Sequence, residues 1–161
     1  MQIKKMLMVS ALTMLIATGC ATAPTPITIS ETAAATPQLS TLTKLLNDAG
    51  LTETLKGPGP YTVFAPTDDA FKAVPAKTLD ALAKDKALLT SVLTYHVLPG
   101  AVTSAAVVNG PVKTLQGAPV AIYKSGTFVT VEEAVITTPD IAASNGVVHI
   151  VDKVLMPPVK K

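Results

Sequence analysis

Residues 145–157 read Asn145-Gly-Val-Val-His-Ile-Val-Asp-Lys-Val-Leu-Met-Pro157. Asn-Gly is a turn dipeptide, because both residues tolerate positive φ. In the extended chain that follows, Val147, His149 and Val151 point to one side and Val148 and Ile150 to the other. Both sides are apolar apart from His149, so the run reads as an interior strand covered on two faces. Pro157-Pro158 end it, since proline has no amide to offer a ladder. An interior strand this late in the chain needs earlier segments on both faces. Its natural partner is Tyr61-Thr-Val-Phe-Ala-Pro-Thr-Asp-Asp-Ala-Phe71.

Upstream of residue 145, Gly100, Asn109-Gly110, Gln116-Gly117 and Ser125-Gly126 punctuate the chain at the spacing of a β-meander. Val120–Lys124 and Thr127–Val131 form its clearest hairpin. Before the meander the period changes. Leu39, Leu42, Leu45, Leu46 and Ala49 recur at three- and four-residue intervals, with Gly50 as the stop. Glu31–Thr36 supplies a shorter helix ahead of it, and Gly57-Pro-Gly-Pro60 is a hard break. Thr67 is a good N-cap, and Asp68 and Asp69 suit the first turn of the helix it opens. Residues 76–94 give two short helices, the second capped by Asp85 and carrying Leu88, Leu89, Val92 and Leu93 on one side.

Three blocks now stand in order: Tyr61–Phe71, Tyr95-His-Val-Leu-Pro-Gly100 and Asn145–Asp152. Together they resemble the signature blocks of the fasciclin domain family. The resemblance covers about residues 31–157. It implies a mixed α+β domain: a wedge-shaped antiparallel β-sandwich with small helices packed on it, the helices mainly in the N-terminal half. It also implies a monomeric, secreted or surface-held adhesion module, and not an enzyme.

The chain has 161 residues, 48% of them apolar, which is one domain with a sizeable core. All 13 basic residues are lysines, and Lys4 and Lys5 lie in the N-terminal segment, leaving eleven against 11 acidic residues. With that balance and no arginine fork for phosphate, nucleic acid is excluded as a partner. Residues 1–19 read as a signal peptide: Lys4-Lys5, then an apolar core from Met6 to Ala17, too short to span a bilayer. Leu15-Ile-Ala-Thr-Gly-Cys20 resembles a bacterial lipoprotein box, which makes Cys20 the lipid attachment point. Residues 20–30 are then a Pro/Thr tether holding the domain roughly 30 Å from a membrane. Cleavage after Ala21-Thr-Ala23 is the alternative and gives a soluble secreted protein. Residues 158–161 are a C-terminal tail.

Chemistry is sparse. A single cysteine and two histidines make neither a disulfide framework nor a metal centre, and no cofactor is expected. Ser144, His149 and Asp152 do not form a triad, because residues three apart on a strand face opposite sides. His149 is expected as a buried imidazole bonded to Thr67, Asp68 or nearby backbone, since leaving it unpaired would cost ~1–3 kcal/mol. The acidic pair Asp68-Asp69 is expected to cap.

Two further stretches carry a partner-binding expectation by family position. Tyr95-His96 corresponds to an adhesive block proposed for animal members, against packing at a helix end. Pro139-Asp140-Ile141 sits where animal members place an integrin-recognition motif, with Thr138 and Ala142 departing from its pattern. The other reading of Asp140 is a cap on the turn leading into Asn145-Gly146. The expected function is adhesion, or binding to a protein or glycan of the matrix or envelope. The alternative is a structural or assembly factor for another envelope protein.

Overall fold

The computed structural model of the protein describes residues 27–158. The signal segment, Cys20, most of the tether and the last residues of the tail lie outside that range. The described residues form six α-helices and seven strands. Helices α1 (Ile29–Ala35), α2 (Ser40–Ala49) and α3 (Thr52–Lys56) precede strand β1 (Tyr61–Pro66). Helices α4 (Asp68–Ala73), α5 (Ala76–Lys84) and α6 (Lys86–Tyr95) lead into strand β2 (Val97–Pro99). After a loop come β3 (Gly110–Lys113), β4 (Pro119–Ser125), β5 (Phe128–Val131), β6 (Ala134–Ala143) and β7 (Gly146–Val151).

The mixed α+β class, the early helices and the late interior strand are all present. The strand order is β2-β1-β7-β6-β5-β4-β3, so β7 is flanked on both edges. Two features differ from an antiparallel sandwich. First, β1 and β7 run parallel, in register from Tyr61↔Gly146 to Pro66↔Val151. Second, the strands form one order and not two separate sheets, because β6 serves both halves. Its first residues, Ala134 and Val135, pair with β5, and Ile136 to Ala143 pair with β7. The sheet curls until its edges approach: the Leu115 amide, just past β3, donates to Val97 O of β2 at 2.8 Å. The result is nearly a barrel.

The two faces of β7 explain its composition. Val148 and Ile150, with Val63 and Ala65 of β1, pack under the helices against Leu42, Leu46 and Val92. Val151, with Phe64, Val120, Ile122 and Val131, fills the inside of the curl. Each of these side chains larger than alanine contributes about 1.5–3 kcal/mol relative to exposure. Leu88 is 40% exposed, so the buried stripe of α6 is Leu89, Val92 and Leu93, narrower than expected.

The folded unit starts earlier than residue 31. Thr28 and Glu31 form a reciprocal capping box on α1, Ile29 is 1% exposed, and Ile27 O accepts the Ser144 amide at 2.8 Å. Residues 27–30 therefore belong to the domain and not to the tether. Thr28 standing three residues before Glu31 is the signal for this.

Candidate partner-binding site

Pro139 interrupts β6 because it brings no amide to the ladder with β7. The register slips on either side of Thr138, and Asp140 takes φ +57, a left-handed conformation that Asp tolerates better than most residues. Asp140 is thus a bulge residue within a strand, and not the cap of a turn into Asn145-Gly146. Its amide donates to Nδ1 of His149 at 3.1 Å. Its carboxylate accepts the Ser104 amide at 2.7 Å and the Ser104 hydroxyl at close range. The Ser104 hydroxyl, more than its amide, holds the Asp140 carboxyl below the usual carboxylate range, against a smaller opposing effect of burial.

The loop carrying Ser104 is tied down beneath. Thr62 of β1, fully buried, donates its hydroxyl to Gly100 O and accepts the Val102 amide, both at 2.7 Å. Val102 O in turn lies 2.8 Å from His149 Nε2. One chain of bonds therefore runs from Thr62 through Val102 and His149 to Asp140 and Ser104. The imidazole is 1% exposed and stacks on Phe64, ring centroids 5.7 Å apart.

Of the partners expected for His149, backbone groups are the ones it bonds, while Thr67 and Asp68 bond elsewhere. Thr67 caps α4 through the Ala70 amide. The Asp68 carboxylate leaves its own helix for the start of α2, accepting the Thr41 amide and the Ser40 hydroxyl at 2.8 Å each. Leu39, at the N-cap position of α2, offers no side-chain cap, and Asp68 supplies one from a distance. Asp152 also bonds elsewhere, accepting the Val135 amide at 2.7 Å.

Tyr95 and His96 present no surface, being 1% and 2% exposed. This corrects their place among the partner-binding candidates. The Tyr95 ring lies inside the curl, its hydroxyl bonded to Pro119 O and Glu132, and burial, then the Glu132 charge, pushes its pKa up to about 12. His96 Nδ1 bonds Val92 O at 2.8 Å and Nε2 accepts the Leu155 amide at 2.9 Å. Those partners fix a neutral ring, and burial lowers its pKa from 6.5 to about 4, only partly offset by the Val92 bond.

A depressed histidine pKa stabilises the fold above the unfolded value, and that stability is lost as pH falls toward the folded one. On the order of 3 kcal/mol should disappear between pH ~6.5 and ~4. Urea unfolding across that range should show proton uptake on unfolding. A flat unfolding free energy would contradict the burial of a neutral His96.

Of the remaining candidates, Pro139 and Asp140 are exposed, while Ile141 is half-buried against the helix-side core. The free surface is therefore Pro139-Asp140 with the Ser104 turn beside it. Sequence reasoning missed Ser104, Thr62 and the role of Asn145. The Asn145 side chain bonds the Ile29 amide at 3.0 Å and the carbonyls of Leu55 and Gly57. Thr62 did leave a signal, as the one aliphatic hydroxyl within an otherwise apolar strand.

Comparison with known proteins places these features in context. A family model for the fasciclin domain matches residues 37–157. Protein sll1483 of Synechocystis is 43% identical over 134 residues, covering 82% of this chain and 74% of that protein. Immunogenic protein MPB70 of Mycobacterium bovis is 44% identical over 76% of this chain and 65% of its own length. Cell surface glycolipoprotein MPB83 of the same species is 41% identical over 81% and 60%. The chain thus spans less than two thirds of both mycobacterial relatives. Among solved structures, a FAS1 domain pair from the insect cell adhesion molecule fasciclin I superposes with a TM-score of 0.65 at 16% identity, over 81% of this chain and 51% of that one. That likeness is one of fold.

Proposed function

The chain belongs to the fasciclin domain family, and from this premise we propose that it is a non-enzymatic, exported lipoprotein that binds a protein or glycan of the matrix or envelope. The observation that carries the reading is the Pro139-Asp140 bulge. It sets exposed side chains on a strand braced by a buried imidazole and a pinned loop. Side chains held this way lose little freedom on binding. The family's presence in a relative described as a cell surface glycolipoprotein supports the location. The Leu15–Cys20 box supports attachment through lipid at Cys20, and stable anchoring by the two or three acyl chains of a mature lipoprotein is expected.

Two experiments test this. A Cys20→Ser chain expressed in its host should lose acyl label and leave the membrane fraction; unchanged membrane retention would refute the anchor. That soluble chain should then be used to capture partners from matrix components and envelope extract. Asp140→Ala and Pro139→Ala should each weaken capture by about tenfold, the size of one lost contact. Capture untouched by both substitutions would rule out the bulge. Selective capture of a single envelope protein would favour the assembly-factor reading over adhesion.

A further inference from the structure

The bonds around His149 fix its proton without ambiguity. A carbonyl only accepts, so Nε2, 2.8 Å from Val102 O, carries the hydrogen. A backbone amide only donates, so Nδ1, 3.1 Å from the Asp140 nitrogen, is bare. A second proton has one place to go, and it is the atom that holds Asp140. Protonated there, the ring would set N–H against N–H and lose the bulge amide.

We propose that His149 is a proton-operated latch on the Asp140 bulge: on protonation the Asp140 carboxylate leaves Ser104 for the imidazolium, and the turn at Ser104 comes free of β6. The proton comes from solvent and ends on Nδ1, whose new hydrogen needs an acceptor. Asp140 carries the acidic group at hand, on the residue whose own amide bonds Nδ1. The surroundings offer no substitute. From β1 the ring faces Phe64 and the neutral Thr62, and from the loop Val102 and Ser104. From β4, Lys124 attracts the same carboxylate and donates to Ala105 O at 3.3 Å. Loss of Asp140 leaves the Ser104 hydroxyl and amide without their acceptor. The turn from Thr103 to Val107 then keeps only its internal bonds and the Lys124 contact.

This deepens the reading of Pro139-Asp140 as a binding surface by giving it a pH dependence, yet its test needs no partner. The full chain, isotope-labelled, is titrated by NMR from about pH 7.5 to about pH 5. At the upper end the His149 ring should show the Nε2–H tautomer. On acidification the Ser104 and Asp140 amide signals should move with the same midpoint as the ring. Ser104 should exchange about tenfold faster, corrected for intrinsic rate, while Val120 and Val129 of the meander stay protected. Asp140→Asn, which keeps an acceptor for Ser104 but has no negative charge to draw it to an imidazolium, should uncouple Ser104 from the titration. An Nδ1–H tautomer at neutral pH overturns the proposal. So does a ring that titrates while Ser104 stays still, or global unfolding before the ring titrates. Failure of partner capture with an intact titration would instead fault the binding reading alone.

Discussion

Gly146→Ala should all but abolish folding, with an expected loss of at least ~4 kcal/mol from a domain whose whole stability is ~5–15 kcal/mol. A Cβ on Gly146 would sit 1.9 Å from the carbonyl oxygen of Tyr61 and 2.8 Å from its carbon and nitrogen. Those are backbone atoms of the paired residue in β1, held by the β1–β7 ladder, so no side chain can swing aside. Relief would require unpairing the two central strands where they start. Gly59 is in a similar position, its missing Cβ lying 2.0 Å from Asn145 O. Gly117→Ala is the control: φ is +99 with nothing within 4 Å, so only the backbone penalty of ~1–2 kcal/mol applies. Urea midpoints of the three proteins decide the matter. A Gly146→Ala protein that unfolds near the parent midpoint would mean that the two strands do not approach this closely.

The central strand pair was legible because its information is local. Alternation and two-sided apolarity specify an interior strand from its own residues, and Tyr61–Ala65 reads the same way. The N-caps Thr67 and Asp85 were legible for the same reason, since the backbone amides that donate to them lie within three residues. What escaped was the destination of polar side chains that bond across the chain. Asp68 serves α2 over 27 and 28 residues, Thr62 reaches 38 and 40, and Ser104 finds Asp140 over 36. Motif position offered Tyr95-His96 as a surface block, whereas packing at the helix end, the other reading, is what the fold shows, and the helix carried that signal. Leu89, Val92, Leu93 and His96 fall at i, i+3, i+4 and i+7, which puts His96 on the buried stripe. The left-handed Asp140 had only Pro139 as a hint. Proline predicts a break in the ladder without saying how the chain repairs it.

Asn145 carries the second large effect, and it separates a turn residue from a clamp. As a turn residue it would need positive φ and nothing from its side chain. Yet the positive-φ non-glycine residues of the described chain are Glu132 and Asp140. Its side chain instead joins three segments that precede β1: Oδ1 accepts from Ile29 at the start of α1, and Nδ2 donates to Leu55 of α3 and Gly57 beyond it. Its backbone carbonyl accepts the Tyr61 amide at 3.0 Å, so the same residue also starts β1. Asn145→Ala should cost about 2–4 kcal/mol, three bonds at roughly 1 kcal/mol each with partial rescue by water. Asn145→Asp is the sharper change, because it keeps the shape and the Ile29 bond. It puts a carboxylate oxygen against two carbonyl oxygens that had received hydrogens, and an anion where a neutral donor stood. The near-isosteric aspartate should therefore be the less stable of the two at pH 7, whereas a turn role predicts the reverse, since aspartate is a good turn residue and alanine is not. Denaturant midpoints of the two variants, with exchange protection of the Ile29 amide, read the outcome. An aspartate variant as stable as the parent would remove the clamp and leave Asn145 as a turn residue after all.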